Sequence, residues 1–189
     1  MAQSSTTISS QRDHKVNITG TDISFVASTK TISAVSTALA NLAVYDVITV
    51  TGTSLNNSTF TVASVATNGL SITVQETVAN ETAASFTTTI DYTGFVTNKY
   101  QGDGYYSQAD GVHTVAYHVS ADLTGTIKMQ GSLATTPTES DWFDIAGTTF
   151  TTDLSTTIFS ANFTGNFVWV RAKATGVTAG SVMKILYNH

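Results

Sequence analysis

The sequence predicts an all-β protein, built as two small antiparallel β-sandwich or barrel-like domains with at most one short helix. Three observations lead there. Roughly a fifth of the 189 residues are threonine, whose branched Cβ suits a pleated surface while its hydroxyl tolerates water. Short runs such as DVITVT at 46–51 and VHTVAYHVS at 112–120 alternate with period two. Turn signals separate those runs, above all Asn68-Gly69, where both residues accept positive φ.

Taken in order, residues 1–20 read as an arm, polar and aperiodic until Val16 and Ile18 and free to lie on a neighbouring subunit. Asp22 to Val26 and Thr31 to Val35 follow as short strands. Ser36 to Leu42 carries Ala38, Leu39 and Leu42 at helical spacing and predicts the one short helix. DVITVT, Gly52 and TFTVASV at 59–65 form a predicted hairpin, and Asn68-Gly69 leads into LSITVQ at 70–75 as a second. Phe86 to Ile90 closes this first β-module, assigned to residues 21–93.

Residues 94–189 have a different texture and form the second predicted domain, a C-terminal β-sandwich. Val112 to Ser120 places His113, Val115, Tyr117 and Val119 on one face. Thr126 to Leu133 and Asn166 to Thr175 alternate as well, the latter setting Phe167, Trp169, Arg171 and Lys173 against Val168, Val170 and Ala172. Ser181 to Tyr187 is the last strand, and the single proline, Pro137, falls between strands, where its missing N–H does no harm.

Composition narrows function. Charged residues reach only 11%, against roughly 25% in ordinary soluble domains, so hydroxyls and amides wet the surface and contact between subunits is expected to cover part of it. Eight scattered basic residues in a chain of net charge -5 do not make a cationic track for phosphates, and no nucleic-acid partner is expected. No apolar run is long enough to span a bilayer, and residues 1–10 lack the basic start and apolar stretch of a secretory signal, so neither membrane insertion nor targeting is expected. Absence of cysteine removes disulfides, thiolate metal sites and cysteine nucleophiles together.

The stretch YDVITVTGTSLNNSTFTVASVATNGLSITVQETVANETAASFTTTI, residues 45–90, resembles a small β-module of tailed-bacteriophage virion proteins. The shared pattern is carried by Tyr45, Asp46, Ile48, Val50, Gly52, Asn56, Asn57, Phe60, Val62, Thr73, Val74 and Glu81, and the sequence departs from it at Ala84-Ser85, where the module often has glycine. In the second half, GDGYYSQADGVHTVAYHVS, TGTIKMQGSLATTPTESDWFDI and FTGNFVWVRAKATGVTAGSVMKILYNH look like virion proteins of marine and cyanobacterial tailed phages. The resemblance implies a particle component, either a head decoration, neck or tail-fibre protein, located in the virion. It names no reaction.

The residues themselves point to no catalytic, cofactor or metal site. His113 and His118 fall on opposite faces of one strand, which keeps them from sharing a metal. Asp103, Asp110 and His113 in the loop GDGYYSQADGVH match no calcium-loop or zinc spacing. Glu139, Asp141 and Asp144 form the one acidic cluster beside Trp142 and Phe143, which raises a glycosidase-like reading on Glu139 and Asp141, but a catalytic pair requires one pocketed carboxyl and this cluster follows a turn. Neither G-x-S-x-G nor G-x-x-x-x-G-K-[ST] occurs.

The candidate interaction residues are instead Tyr105, Tyr106, Trp142, Phe143, Trp169 and Arg171, large aromatic anchors and an arginine of the kind that dominate interfaces. The expected protein is therefore not an enzyme. It assembles as a homo-oligomer, a closed trimer being one form, and docks to capsid, neck or tail proteins. The alternative is a receptor- or glycan-binding tip that uses Trp142 and the aromatic, glycine-rich loop.

Overall fold

The computed structural model describes residues 5–35, 37–83, 87–106 and 111–188. Its strands, in chain order, are β1 (Ser5–Ser9), β2 (Arg12–Asp13), β3 (Ile18–Gly20), β4 (Ser24–Val26), β5 (Thr31–Ser33), β6 (Asp46–Thr51), β7 (Ser58–Val65), β8 (Ser71–Val74) and β9 (Thr88–Val96). There follow β10 (Tyr100–Gln101), β11 (Val112–Val119), β12 (Thr124–Ser132), β13 (Phe143–Asp144), β14 (Phe150–Thr151), β15 (Ile158–Thr164), β16 (Trp169–Ala179) and β17 (Ser181–Asn188). Helical structure among the described residues is confined to short 3₁₀ turns, and Thr37–Asn41 is the one that falls in the predicted helix. The protein is all-β and antiparallel, as its alternating runs predict.

The chain separates into two compact units. One comprises Lys15–Phe95, and the other joins the described residues up to His14 with those from Val96 onward. The segment read as an arm is thus divided. β1 and β2 hydrogen-bond to β17 near the far end of the sequence, while β3 pairs with β9. Such pairings depend on which distant strand offers a free edge, and local periodicity carries no information about that.

In the Lys15–Phe95 unit the strands follow the spatial order β3-β9-β6-β7-β8-β5-β4. β6 buries Asp46, Ile48 and Val50 and turns Val47 and Thr49 outward, so alternation puts its apolar residues into a core with Ile32, Leu39, Phe60, Val62, Ile72 and Ile90. Several motif residues of the 45–90 stretch have structural work here. Asp46, fully buried, accepts from Ala43 N–H at 2.7 Å and from Lys15 Nζ at 2.5 Å. Asn56 and Ala79 exchange amide hydrogen bonds of 2.8 and 3.2 Å. Glu81 takes Ser54 N–H, Leu55 N–H and Asn56 Nδ2. Burial opposes the Glu81 charge, but the Ser54, Asn56 and Leu55 donors outweigh it and hold the carboxyl below the usual range. These groups tie down the Gly52–Asn57 turn, so the motif is a folding signature. The strand expected over 86–90 begins at Thr88 and continues to Val96, and Phe86 and Ala84-Ser85 lie outside the described residues.

The second unit is a sandwich. One layer runs β1-β17-β11-β15 with β2 beside β17; the other is built on β13-β12-β16, with β10 on β16 and β14 on β12. Val115, Tyr117, Val119, Ile185 and Tyr187 from the first layer and Ile127, Met129, Val170, Ala172 and Ala174 from the second form its core. Tyr117 donates from its phenol to Thr148 C=O at 2.9 Å, and Phe159 of β15 stacks on Phe150 of β14 at 5.2 Å. β15 is absent from the sequence reading, although Phe159, Ala161 and Phe163 alternate there with exposed Ser160, Asn162 and Thr164 and Phe163 is buried.

Candidate functional site

Alternation along β16 decides where the candidate residues lie. Val170, Ala172 and Ala174 turn into the core, which sends Trp169, Arg171 and Lys173 to the opposite side. The β12 register then sets Ser132 beside Trp169, Gln130 beside Arg171 and Lys128 beside Lys173. The segment after Pro137 returns over this face. It starts on a cap in which Asp141 accepts from both the N–H and the hydroxyl of Thr138 at 2.7 Å.

That return delivers Glu139 and Trp142 to Arg171. The two Glu139 oxygens accept from the guanidinium at 2.7 and 2.8 Å, Arg171 Nε donates to Gln130 Oε1 at 2.9 Å, and the Trp142 ring lies 4.3 Å from the guanidinium carbon. Gln130 passes the chain on by donating to Asp144 at 2.9 Å, which also receives Lys128 Nζ at 2.5 Å. Arg171 is only 5% exposed. Forked pairing, a neutral amide acceptor and a stacked ring together offset the cost of withdrawing its charge from water.

Two residues along β16, a second cluster centres on Trp169. Its indole N–H donates to Thr135 C=O at 2.9 Å, Lys99 Nζ stands 4.3 Å over the ring, and Tyr105 packs at 5.0 Å. Tyr106 meets Tyr105 edge-on at 5.1 Å and donates its phenol proton to Gln101. The loop bearing both tyrosines is fastened by Gly102 N–H on Val168 C=O and Gly104 N–H on Phe167 C=O. Tyr105 and Tyr106 keep 46% and 49% of their surface exposed. Phe143, half-exposed, rests on Phe167 at 6.0 Å. The six candidates therefore fall into three sets: Tyr105, Tyr106 and Trp169 form one, Trp142 and Arg171 another, and Phe143 joins the aromatic core.

A further polar group sits within that core. His113 is fully buried on β11 between Phe163 and Tyr187, with ring centroids 5.1 and 5.8 Å away. The Tyr187 phenol lies 2.9 Å from Nδ1, and Nε2 faces Gly165 C=O at 3.3 Å and Asp103 Oδ2 at 3.5 Å. Burial, with the Asp103 charge, pushes the Tyr187 phenol up, so it remains a donor at neutral pH. Asp103 also accepts from Gly111 N–H at 2.6 Å, pinning both ends of the aromatic loop. His118 lies on the other face of the strand, half-exposed, and Asp110 lies outside the described residues. Among the described residues no three His, Asp or Glu side chains gather in metal-binding geometry.

Each acid of the Glu139, Asp141 and Asp144 cluster has its own partner. The Arg171 hydrogen bond, against burial, holds Glu139 below the usual carboxylate range; Thr138 does the same for Asp141, and Lys128 for Asp144. A carboxylic general acid requires the opposite shift. Sequence reasoning missed Gln130, Lys128, Lys99 and the Tyr187 partner of His113. The pairing of Gln130 with Arg171 was within reach once β12 and β16 were set in register.

These features define an antiparallel β-sandwich unit that displays a polar-aromatic sheet face around a buried, ion-paired arginine, joined in the chain to a small β-module. No protein-family model matches the chain, and no match to a curated protein or to a solved structure is found.

Proposed function

We propose that this chain is a structural component of a tailed-bacteriophage particle, a head decoration, neck or tail-fibre protein, which works by self-assembly and by docking to other particle proteins. The observation that carries this reading is the face of β12 and β16. Half-exposed Tyr105 and Tyr106 flank Trp169, Trp142 stacks on Arg171 two residues along the strand, and the rings and guanidinium are already held by hydrogen bonds and stacking. Rigid aromatic and arginine anchors lose little freedom on binding, which is the property of interface hot spots. Supporting it are the virion-module resemblance of residues 45–90, the low charge, and carboxylates occupied in structural pairs.

The test is mass spectrometry of purified particles followed by a cryo-electron microscopy map. The chain is expected in stoichiometric amounts at a defined position, and Tyr105→Ala with Trp169→Ala is expected to abolish incorporation of a folded protein. A monomeric chain missing from particles overturns the reading.

A second reading, a receptor- or glycan-binding tip, is favoured by the edge-to-face Tyr105 and Tyr106 rings on a loop. Adhesion of isolated protein to host cells, lost in Trp142→Ala or Tyr106→Ala while incorporation persists, selects it over the first.

A further inference from the structure

β1 and β2 lie at one end of the sequence, yet they complete the sandwich unit formed by residues from Val96 onward. The seat is the edge of β17 not taken by β11. Ser5 pairs with Asn188, Thr6 with Tyr187, Thr7 with Leu186 and Ser9 with Ile185, a bulge interrupting the ladder; Arg12 and Asp13 then pair with Val182 and Ser181. Two further bonds fasten the end, Ser181 Oγ to Asp13 at 2.7 Å and His14 N–H to Gly180 C=O at 2.9 Å.

Backbone pairing holds this segment more than packing does. Ile8, 4% exposed, is the one apolar side chain it buries, and a shallow cavity of about 170 Å³ lined by Ser5, Thr114, Ala116, Leu186, Tyr187 and Asn188 opens beside it. The link that follows, His14 to Asn17, carries Val16 with 86% of its surface exposed. The segment is thus a strand joined to its sheet by a ladder, and to the rest of the chain by a tether outside any strand.

We infer that β1 and β2 are exchanged between copies, so that the strand pair of one chain sits on β17 of a second. Every bond in the seat is remade identically in trans, because donor and acceptor both belong to this sequence; the choice between cis and trans therefore rests on the tether and on local concentration. Only this chain's own segment supplies Ile8 for the core together with Asp13 for Ser181. An open β17 edge would otherwise offer its unpaired backbone groups to any passing strand. The inference rests on the assembly reading only in requiring a second copy nearby.

The chain has no cysteine, which gives a clean test. Thr7 and Leu186 are cross-strand partners, and such Cα pairs stand about 4.5–5.5 Å apart, within disulfide reach. Full-length Thr7→Cys and Leu186→Cys proteins carrying different mass tags are co-expressed and oxidised, with Ser5→Cys and Asn188→Cys as a second pair. The expected result is a covalent product containing one chain of each tag, well above the self-pairs of either single variant. If mixed single variants give no such product while the double variant closes within one chain, exchange is overturned. Double variants that form no disulfide in either pairing overturn it too, since β1 then does not sit on β17. A negative result beside a chain present in particles leaves the particle reading standing.

Discussion

Glu139 and Arg171, thirty-two positions apart, meet as a two-pronged ion pair with contacts of 2.7 and 2.8 Å. The carboxylate is half-exposed and the guanidinium buried, so the pair closes the segment after Pro137 over the β12–β16 face and gives the buried cation its counter-charge. Trp142 stacks on the same guanidinium. The aromatic surface around it is thus held by bonds made within the chain.

Replacing Arg171 by lysine tests that fork. Lysine keeps the charge but loses the second prong, the Nε bond to Gln130 and the planar stack on Trp142. We expect a loss of about 1–3 kcal/mol in urea unfolding. An unchanged midpoint would remove the pair from the account of this face.

Acid is expected to loosen the same region. Arg171 holds Glu139, and Lys128 holds Asp144, below their ordinary values of 4.5 and 3.8. A carboxylate lowered by folding contributes stability that is complete above its unfolded value and lost as the pH falls through its folded one. Unfolding free energy should therefore decline from about pH 4.5 downward, and Glu139→Gln should flatten that decline. Urea titrations at stepped pH measure both slopes.

Tyr187→Phe removes the donor facing His113 Nδ1 in a fully buried site. The unsatisfied nitrogen should cost about 1–3 kcal/mol. Histidine NMR signals would move for His113 and stay in place for the half-exposed His118. A shift of equal size at both positions would contradict the assignment.

Gly52 and Gly147 share φ +79°, but a methyl group at Gly52 would run into the Thr87 carbonyl whereas one at Gly147 meets nothing within 4 Å. Gly147→Ala should cost only the backbone strain, about 1 kcal/mol. Gly52→Ala should cost clearly more, because the turn must also move. Thermal unfolding of the two variants side by side checks the order.

Period-two alternation was legible in the central strands. DVITVT became β6 with the predicted bounds, and the face of His113, Val115, Tyr117 and Val119 is the buried one. The six anchor residues were recognisable as types, since large rings and arginine in a chain poor in charge are conspicuous. β15 escaped the sequence reading although Phe159, Ala161 and Phe163 alternate with Ser160, Asn162 and Thr164, a pattern whose meaning shows once the strand is set beside β11.

By itself the sequence determined the all-β class, the inward residues of the central strands and the stock of groups available for contact, because side-chain direction in a strand follows from position relative to its immediate neighbours. Only the tertiary structure decided that Glu139 completes Arg171, that Tyr187 faces His113 and that β1 belongs to β17. Those relationships require distant segments to be aligned in one register. Register is chosen by the joint burial and hydrogen bonding of both strands, a quantity that no single stretch of chain contains.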